Sequence, residues 1–109
     1  MTALQTQSIL QAFHRELQVI YGDRLAQLLL YGSQARGDAS PDSDIDLLVI
    51  LNDEEVIPSR EISKIIPIVA RYSLEHDLVL SCAFVSSKRY SSENSPFILN
   101  VRREGLAVA

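Results

Sequence analysis

Apolar residues recur at helical spacing in some segments and form short, nearly continuous runs in others, and this difference separates predicted helices from predicted strands. Between residues 2 and 21, apolar side chains recur at helical spacing, which predicts an amphipathic helix that stops at Gly22. Helical spacing returns after Pro58 and after Pro96, and it predicts two further helices, the last over residues 96–103. Short, nearly continuous apolar runs predict strands over residues 25–31, 44–51 and 77–85.

The predicted order is helix, strand, strand, helix, strand, helix, which indicates an α/β (α+β) fold with a small mixed sheet flanked by helices. The strand over residues 44–51 is apolar on both faces beyond its first residues, so we expect it to lie inside the sheet with layers on both sides. Pro67 falls within the second helix and is expected to kink it or divide it in two. A polar stretch over residues 38–43 predicts a loop.

Composition limits the class of protein. A chain of 109 residues, 47% of them hydrophobic, is expected to form one domain over residues 1–109 with one core. The net charge of −4 argues against broad electrostatic binding of nucleic acid, so we expect no direct nucleic-acid partner. The single cysteine, Cys82, excludes an internal disulfide framework and is expected to be a small buried side chain. With no signal peptide and no membrane-spanning run apparent, a cytoplasmic location is predicted.

The candidate chemistry lies where the first predicted strand ends and the second begins. Gly32 and Ser33 end the first strand, and Asp44 and Asp46 open the second. Side chains alternate across a strand, so both carboxylates are expected on one face, where two anions repel unless they share a cation. Paired oxygen ligands suit Mg²⁺, while glycine lets the backbone approach a ligand and serine offers a hydroxyl to a phosphate. This pattern predicts a site for a metal-bound nucleoside triphosphate.

The same residues carry a family resemblance. Gly32-Ser33, ten intervening residues and Asp44-x-Asp46 resemble the signature of the DNA polymerase β-like nucleotidyltransferases. The fuller segment, YGSQARGDASPDSDIDLLVIL, is similar to the small stand-alone members called minimal nucleotidyltransferase (MNT) domains. The detailed match covers about a fifth of the chain, and the order of elements fits nearly all of it. The resemblance implies the polymerase β-like palm fold and a nucleotidyltransferase activity.

For the catalytic metals, the resemblance implies a two-metal transfer in which Asp44 and Asp46 hold two Mg²⁺ ions. Family members often place a third carboxylate on the neighbouring strand, and Asp77 is the acid positioned for that catalytic and metal-binding role. If Asp77 points away, Ser81 occupies the depth at which an acid is expected.

For the nucleotide, the resemblance implies that Gly32 and Ser33 hold the terminal phosphates of ATP. Arg36 is expected either near the phosphates or in placing the loop, and the alternative is a solvated arginine.

The acceptor of the nucleotidyl group has three candidate answers. A bare MNT domain resembles the antitoxins that pair with HEPN-type RNase toxins, which implies a protein adenylyltransferase that moves AMP from ATP to a tyrosine of the toxin and forms a hetero-oligomer with it. A second possibility keeps the chemistry and changes the acceptor to a small molecule such as an aminoglycoside. A third is an antitoxin that neutralises its toxin by binding alone.

Overall fold

A computed structural model of the chain describes residues 3–37 and 44–108. The predicted loop over residues 38–43 and the predicted first helical residue, Thr2, therefore lie outside the described residues. In the described part, the chain forms, in order, α1 (Ala3–Tyr21), a 3₁₀ turn (Gly22–Arg24), β1 (Leu25–Tyr31), α2 (Ser33–Arg36), β2 (Ile45–Leu51), α3 (Pro58–His76), β3 (Leu80–Ser86), α4 (Ser87–Ser92), α5 (Pro96–Glu104) and β4 (Leu106–Ala107).

The four strands form one mixed sheet in the order β3-β2-β1-β4. β1 pairs antiparallel with β2 and, on its other side, with β4. β2 pairs in parallel with β3, and α3 makes the crossover between them, as parallel neighbours require. The predicted mixed sheet flanked by helices is confirmed.

Apolar side chains cover both faces of this sheet. On one face, β1–β3 pack against α1 and α3 around Phe13, Leu17 and Ile65, all fully buried. On the other face, Leu48 and Ile50 of β2 pack against α5. β2 is therefore the interior strand that its sequence predicts, since helices cover it on both sides.

The structure differs from the sequence-based elements in four places. α3 runs unbroken through Pro67, which is exposed, so that water can bond to the carbonyl oxygen that loses its amide partner. The prediction of a divided helix is thus wrong. β3 begins at Leu80 rather than at residue 77, because α3 continues to His76. α4 is longer than the single helical turn expected around residues 88–90, β4 was not predicted, and Cys82 is half-buried at the edge of the larger core.

A charged cluster, defined as Arg24, Asp53, Glu61 and Lys64, joins α3 to the far end of the β1–β2 pair. The Arg24 guanidinium lies 2.8 Å from Asp53 and 3.5 Å from the buried Glu61, and the Lys64 ammonium lies 3.0 Å from Glu61. Every acid of the cluster thus has a basic partner. Within residues 3–37 and 44–108, no helix has the length and apolar character needed to cross a bilayer.

Candidate active site

The turn after β1 brings the backbone against a carboxylate. Gly32 has φ 74°, in the left-handed region that favours glycine, and it caps α2, whose first residue is Ser33. A Cβ atom at Gly32 would lie 2.5 Å from Oδ2 of Asp46, closer than any real Cβ contact. Position 32 therefore requires glycine for two independent reasons, its backbone conformation and its contact with Asp46.

Asp46 lies at the centre of this site. In the sheet it stands opposite Tyr31 of β1 and level with Ser81 of β3. Its side chain is half-buried, and Asp44 lies just before the strand with an exposed side chain. Burial, and then the negative charge of Asp44, raise the pKa of the Asp46 carboxyl. No basic side chain of the described residues acts on Asp46 against these two effects.

The structure brings the predicted residues Gly32, Asp44 and Asp46 together, and Ser33 follows Gly32 directly. Two neighbouring carboxylates, one of them partly desolvated, are ligands that fit a hard divalent cation such as Mg²⁺. A bound cation would also remove the repulsion between them. Within residues 3–37 and 44–108, no group of three His, Cys, Asp or Glu side chains is placed to hold a metal ion.

Asp77 does not lie on the strand where the sequence placed it. It caps the C-terminus of α3 with φ 52°, a left-handed conformation that aspartate tolerates better than most residues, and its side chain is exposed. The prediction that β3 carries this carboxylate is wrong, because β3 starts three residues later. Ser81 stands level with Asp46, as the alternative expected. The catalytic and metal-binding role of Asp77 stays a prediction.

Arg36 ends α2 and points to the last residue of α5. Its Nη1 lies 3.3 Å from Oε2 of Glu104, and both side chains are partly exposed. The prediction that Arg36 contacts phosphate remains open, and its contact with Glu104 was not predicted. A sequence separation of 68 residues leaves no local pattern from which this pair could have been found.

An aromatic pair beside Asp46 was also missed. The rings of Tyr31 and Phe97 meet edge to face, with centroids 5.4 Å apart. Burial, and next the Asp46 charge, raise the pKa of Tyr31. Phe97 was expected on the apolar side of its helix, but the sequence does not show which strand residue that helix reaches.

A mixed α/β sheet with a glycine–serine turn held against paired aspartates is the arrangement of a nucleotidyl-transferring domain. The family model described as "Nucleotidyltransferase domain" matches residues 10–103, and the chain belongs to this family. It is therefore a nucleotidyltransferase.

Two relatives and two solved structures give this assignment more detail. The chain is 38% identical over 73 residues to MJ0141 of Methanocaldococcus jannaschii, which is named, provisionally, a protein adenylyltransferase; the match covers 67% of this chain and 72% of that protein. It is 42% identical over 59 residues to the protein adenylyltransferase MntA of Thermococcus cleftensis, and this match covers 54% of each of the two chains.

Both solved structures come from toxin–antitoxin systems, one described as having AMP-PNP and the other as a mutant of the pair MntA-HpeT. The first superposes with a TM-score of 0.59 at 16% identity, and the match covers 91% of this chain and 72% of that one. The second superposes with a TM-score of 0.56 at 13% identity, and the match covers 91% of this chain and 71% of that one. At this level of identity, the likeness supports the fold alone.

Proposed function

We propose that this chain is an antitoxin that acts as a protein adenylyltransferase, moving AMP from ATP to a tyrosine of a HEPN-type RNase toxin. The observation that carries the proposal is the close approach of the glycine–serine turn to Asp46, where a Cβ atom at Gly32 would lie 2.5 Å from Oδ2 of this partly buried carboxylate. The names of the similar proteins support protein as the acceptor and adenylyl as the group transferred.

In this proposal, Ser33 and the Gly32 backbone hold the terminal phosphates of ATP, and Arg36 contributes positive charge at the other end of α2. Asp44 and Asp46 would hold two Mg²⁺ ions, which would neutralise phosphate charge and make the attacking hydroxyl more acidic. The tyrosine hydroxyl gives up its proton, for which Asp77 is the predicted acceptor. Its oxygen forms a bond to the α-phosphorus, the bond from that phosphorus to the bridging oxygen breaks, and pyrophosphate leaves. Positioning and charge neutralisation supply most of the rate enhancement.

The proposal predicts a partner that is a small helical protein with an Arg-x₄-His motif, encoded by a gene next to that of this chain. The test is the intact mass of such a protein after incubation with the chain, Mg²⁺ and ATP. We expect one or more AMP units to be added, and we expect Asp44→Asn with Asp46→Asn to slow the addition by at least about 10³-fold. Asp53→Asn is the matched control, because this carboxylate lies at the far end of the same strand pair and already has a basic partner. An unchanged partner mass would refute protein adenylylation.

Asp77 needs a separate variant because the structure does not gather it with the acid pair. Loss of transfer in Asp77→Asn, with Ser81→Ala active, would assign Asp77 as the third carboxylate. Normal transfer in Asp77→Asn would show that the reaction does not need this carboxylate.

One observation favours a second function, neutralisation of the toxin by binding alone. The described residues do not assemble three metal-binding side chains, so the structure gives this possibility more weight. A partner that stays unmodified yet forms a stable complex with the chain would establish it. No complex and no modification would point instead to a small-molecule acceptor.

A further inference from the structure

The C-terminal end of α5 lies against the short helix that follows the glycine–serine turn. Glu104 closes α5, and its Oε2 accepts a charged hydrogen bond from Nη1 of Arg36 at 3.3 Å. We propose that Glu104 is a positioning residue for nucleotide binding, which holds Arg36 and, through α2, the turn at Gly32 and Ser33. This inference rests on the proposed function, because it assigns Glu104 a part in binding the ATP of that reaction.

The residues that follow Glu104 in the chain hold the end of α5 in place. A Cβ atom on the next residue, Gly105, would lie 2.5 Å from the carbonyl oxygen of Val101, so α5 ends in a turn that only glycine fits. The following strand, β4, then pairs with β1 through Leu106 and Leu30. Since Leu30 lies two residues before Gly32, the same short segment that follows Glu104 is attached to the strand that leads into the active-site turn.

A backbone hydrogen bond attaches Arg36 to the turn at Gly32. Its amide donates to the carbonyl oxygen of Gly32 at 3.1 Å, within the single turn of α2. Gly32 in turn lies close to the Asp46 carboxylate, since a Cβ atom at position 32 would be 2.5 Å from its Oδ2. A continuous set of contacts therefore runs from Glu104 through Arg36 and Gly32 to Asp46. Losing the contact at the Glu104 end would therefore loosen the turn that is proposed to bind the phosphates, which would weaken nucleotide binding.

The Arg36–Glu104 pair is partly solvated, with 46% and 28% of the side chains exposed. Pairs of this kind contribute little to folding stability. We therefore expect the loss of Glu104 to alter nucleotide affinity while leaving the thermal unfolding temperature nearly unchanged. This separates a positioning role from a merely structural one.

The experiment is a double-mutant cycle with Glu104→Gln, Arg36→Gln and both together. KM for ATP and kcat are measured in partner adenylylation, and the affinity for AMP-PNP with Mg²⁺ is measured directly. We expect Glu104→Gln to raise KM and weaken AMP-PNP binding by about three- to tenfold, with kcat within about twofold of the wild type. In the Arg36→Gln background, Glu104→Gln should add nothing, because its effect passes through Arg36.

The matched control is Glu16→Gln, which breaks the exposed Glu16–Arg71 pair between α1 and α3. The exposed fractions of this pair, 33% and 48%, are close to those of Glu104 and Arg36. This variant should leave KM and AMP-PNP affinity unchanged. The inference would be overturned if Glu104→Gln left the AMP-PNP affinity unchanged. It would also be overturned if the effects of Glu104→Gln and Arg36→Gln on that affinity were additive. If the wild type fails to modify its partner, the proposed function fails, and the AMP-PNP cycle still decides the role of Glu104.

Discussion

Acidic side chains have opposite electrostatic surroundings at the two ends of the β1–β2 strand pair. At the end that carries the charged cluster, Asp53 and the buried Glu61 each have a basic partner within 3.5 Å. At the other end, burial and the carboxylate of Asp44 are the two influences on the Asp46 carboxyl, and both disfavour its charged form. One end of the strand pair is electrostatically satisfied by the protein itself, while the acids of the other end would be satisfied by the cations that the proposed function requires.

The pKa shifts record this difference. The Arg24 hydrogen bond holds the pKa of Asp53 below its ordinary value. Burial, with the charge of Asp44, holds the pKa of Asp46 above its ordinary value. Both residues are aspartates placed by β2, so their surroundings and not their chemical type cause the opposite shifts. Perturbed acids of the second kind are concentrated at functional sites.

Among single substitutions that compare the two ends, the largest effect is expected from Gly32→Ala, which acts at the acid end alone. The new Cβ would meet Asp46 Oδ2 at 2.5 Å and would also strain a backbone with φ 74°. The carboxylate or the turn must move, so we expect the adenylylation rate to fall by about 10²-fold. The partner's intact mass, followed over time, measures this.

Gly37→Ala is the matched control for that substitution. Gly37 has φ 80°, so alanine there meets the same backbone strain, but a Cβ atom would have no atom of residues 3–37 and 44–108 within 4 Å. If Gly37→Ala lowers the rate as much as Gly32→Ala does, backbone strain and not the contact with Asp46 is responsible.

A smaller effect, on stability rather than on activity, is expected at the other end from Arg24→Ala. Removing this guanidinium deprives Asp53 of its basic partner, which lies 2.8 Å away. The buried Glu61 loses one of its two basic partners and retains Lys64. Because Arg24 is itself partly exposed, we expect the free energy of unfolding to fall by about 1–2 kcal/mol, measured by urea denaturation. Arg89→Ala, which breaks an exposed pair within one helix segment, should cost less than about 0.5 kcal/mol. Equal losses in the two variants would show that the cluster is an ordinary surface feature.

The smallest effect is a difference in pH dependence between Asp46→Asn and Asp53→Asn. The pKa of Asp46 is higher in the folded protein than in the unfolded chain. Its protonated form therefore contributes to folding stability below the unfolded-state pKa, and this contribution is lost as the pH rises through the folded-state pKa. A lowered pKa means that Asp53 favours folding above its ordinary pKa and loses this contribution as the pH falls through the folded value.

At pH 7 without metal, Asp46→Asn should therefore raise the free energy of unfolding, and Asp53→Asn should lower it. Urea denaturation between pH 3 and pH 8 measures both differences. A loss of stability in both variants at pH 7 would contradict the assignment of Asp46 as an uncompensated acid.

Local patterns allowed the sequence to predict the parts of the molecule that neighbours in the chain determine. The bounds of β1, the interior position of β2 and the meeting of Gly32 with the acid pair all follow from residues close together in the sequence. Asp77 was misplaced because helical and extended conformations compete at its position, and the helix that precedes it prevails. Glu104 was missed because its contact with Arg36 depends on where the chain returns after two further helices.

Antiparallel pairing of β1 with β2 has a consequence for the order in which the molecule forms. The groups that meet at Gly32 and Asp46 are separated by only 14 residues of chain, so closing that loop has a small entropic cost. β3 joins β2 in parallel and must wait for the 19 residues of α3 to cross the sheet. We expect the site to take shape with the hairpin, early in folding and early in synthesis, and the remaining layers to close around a site that is already formed.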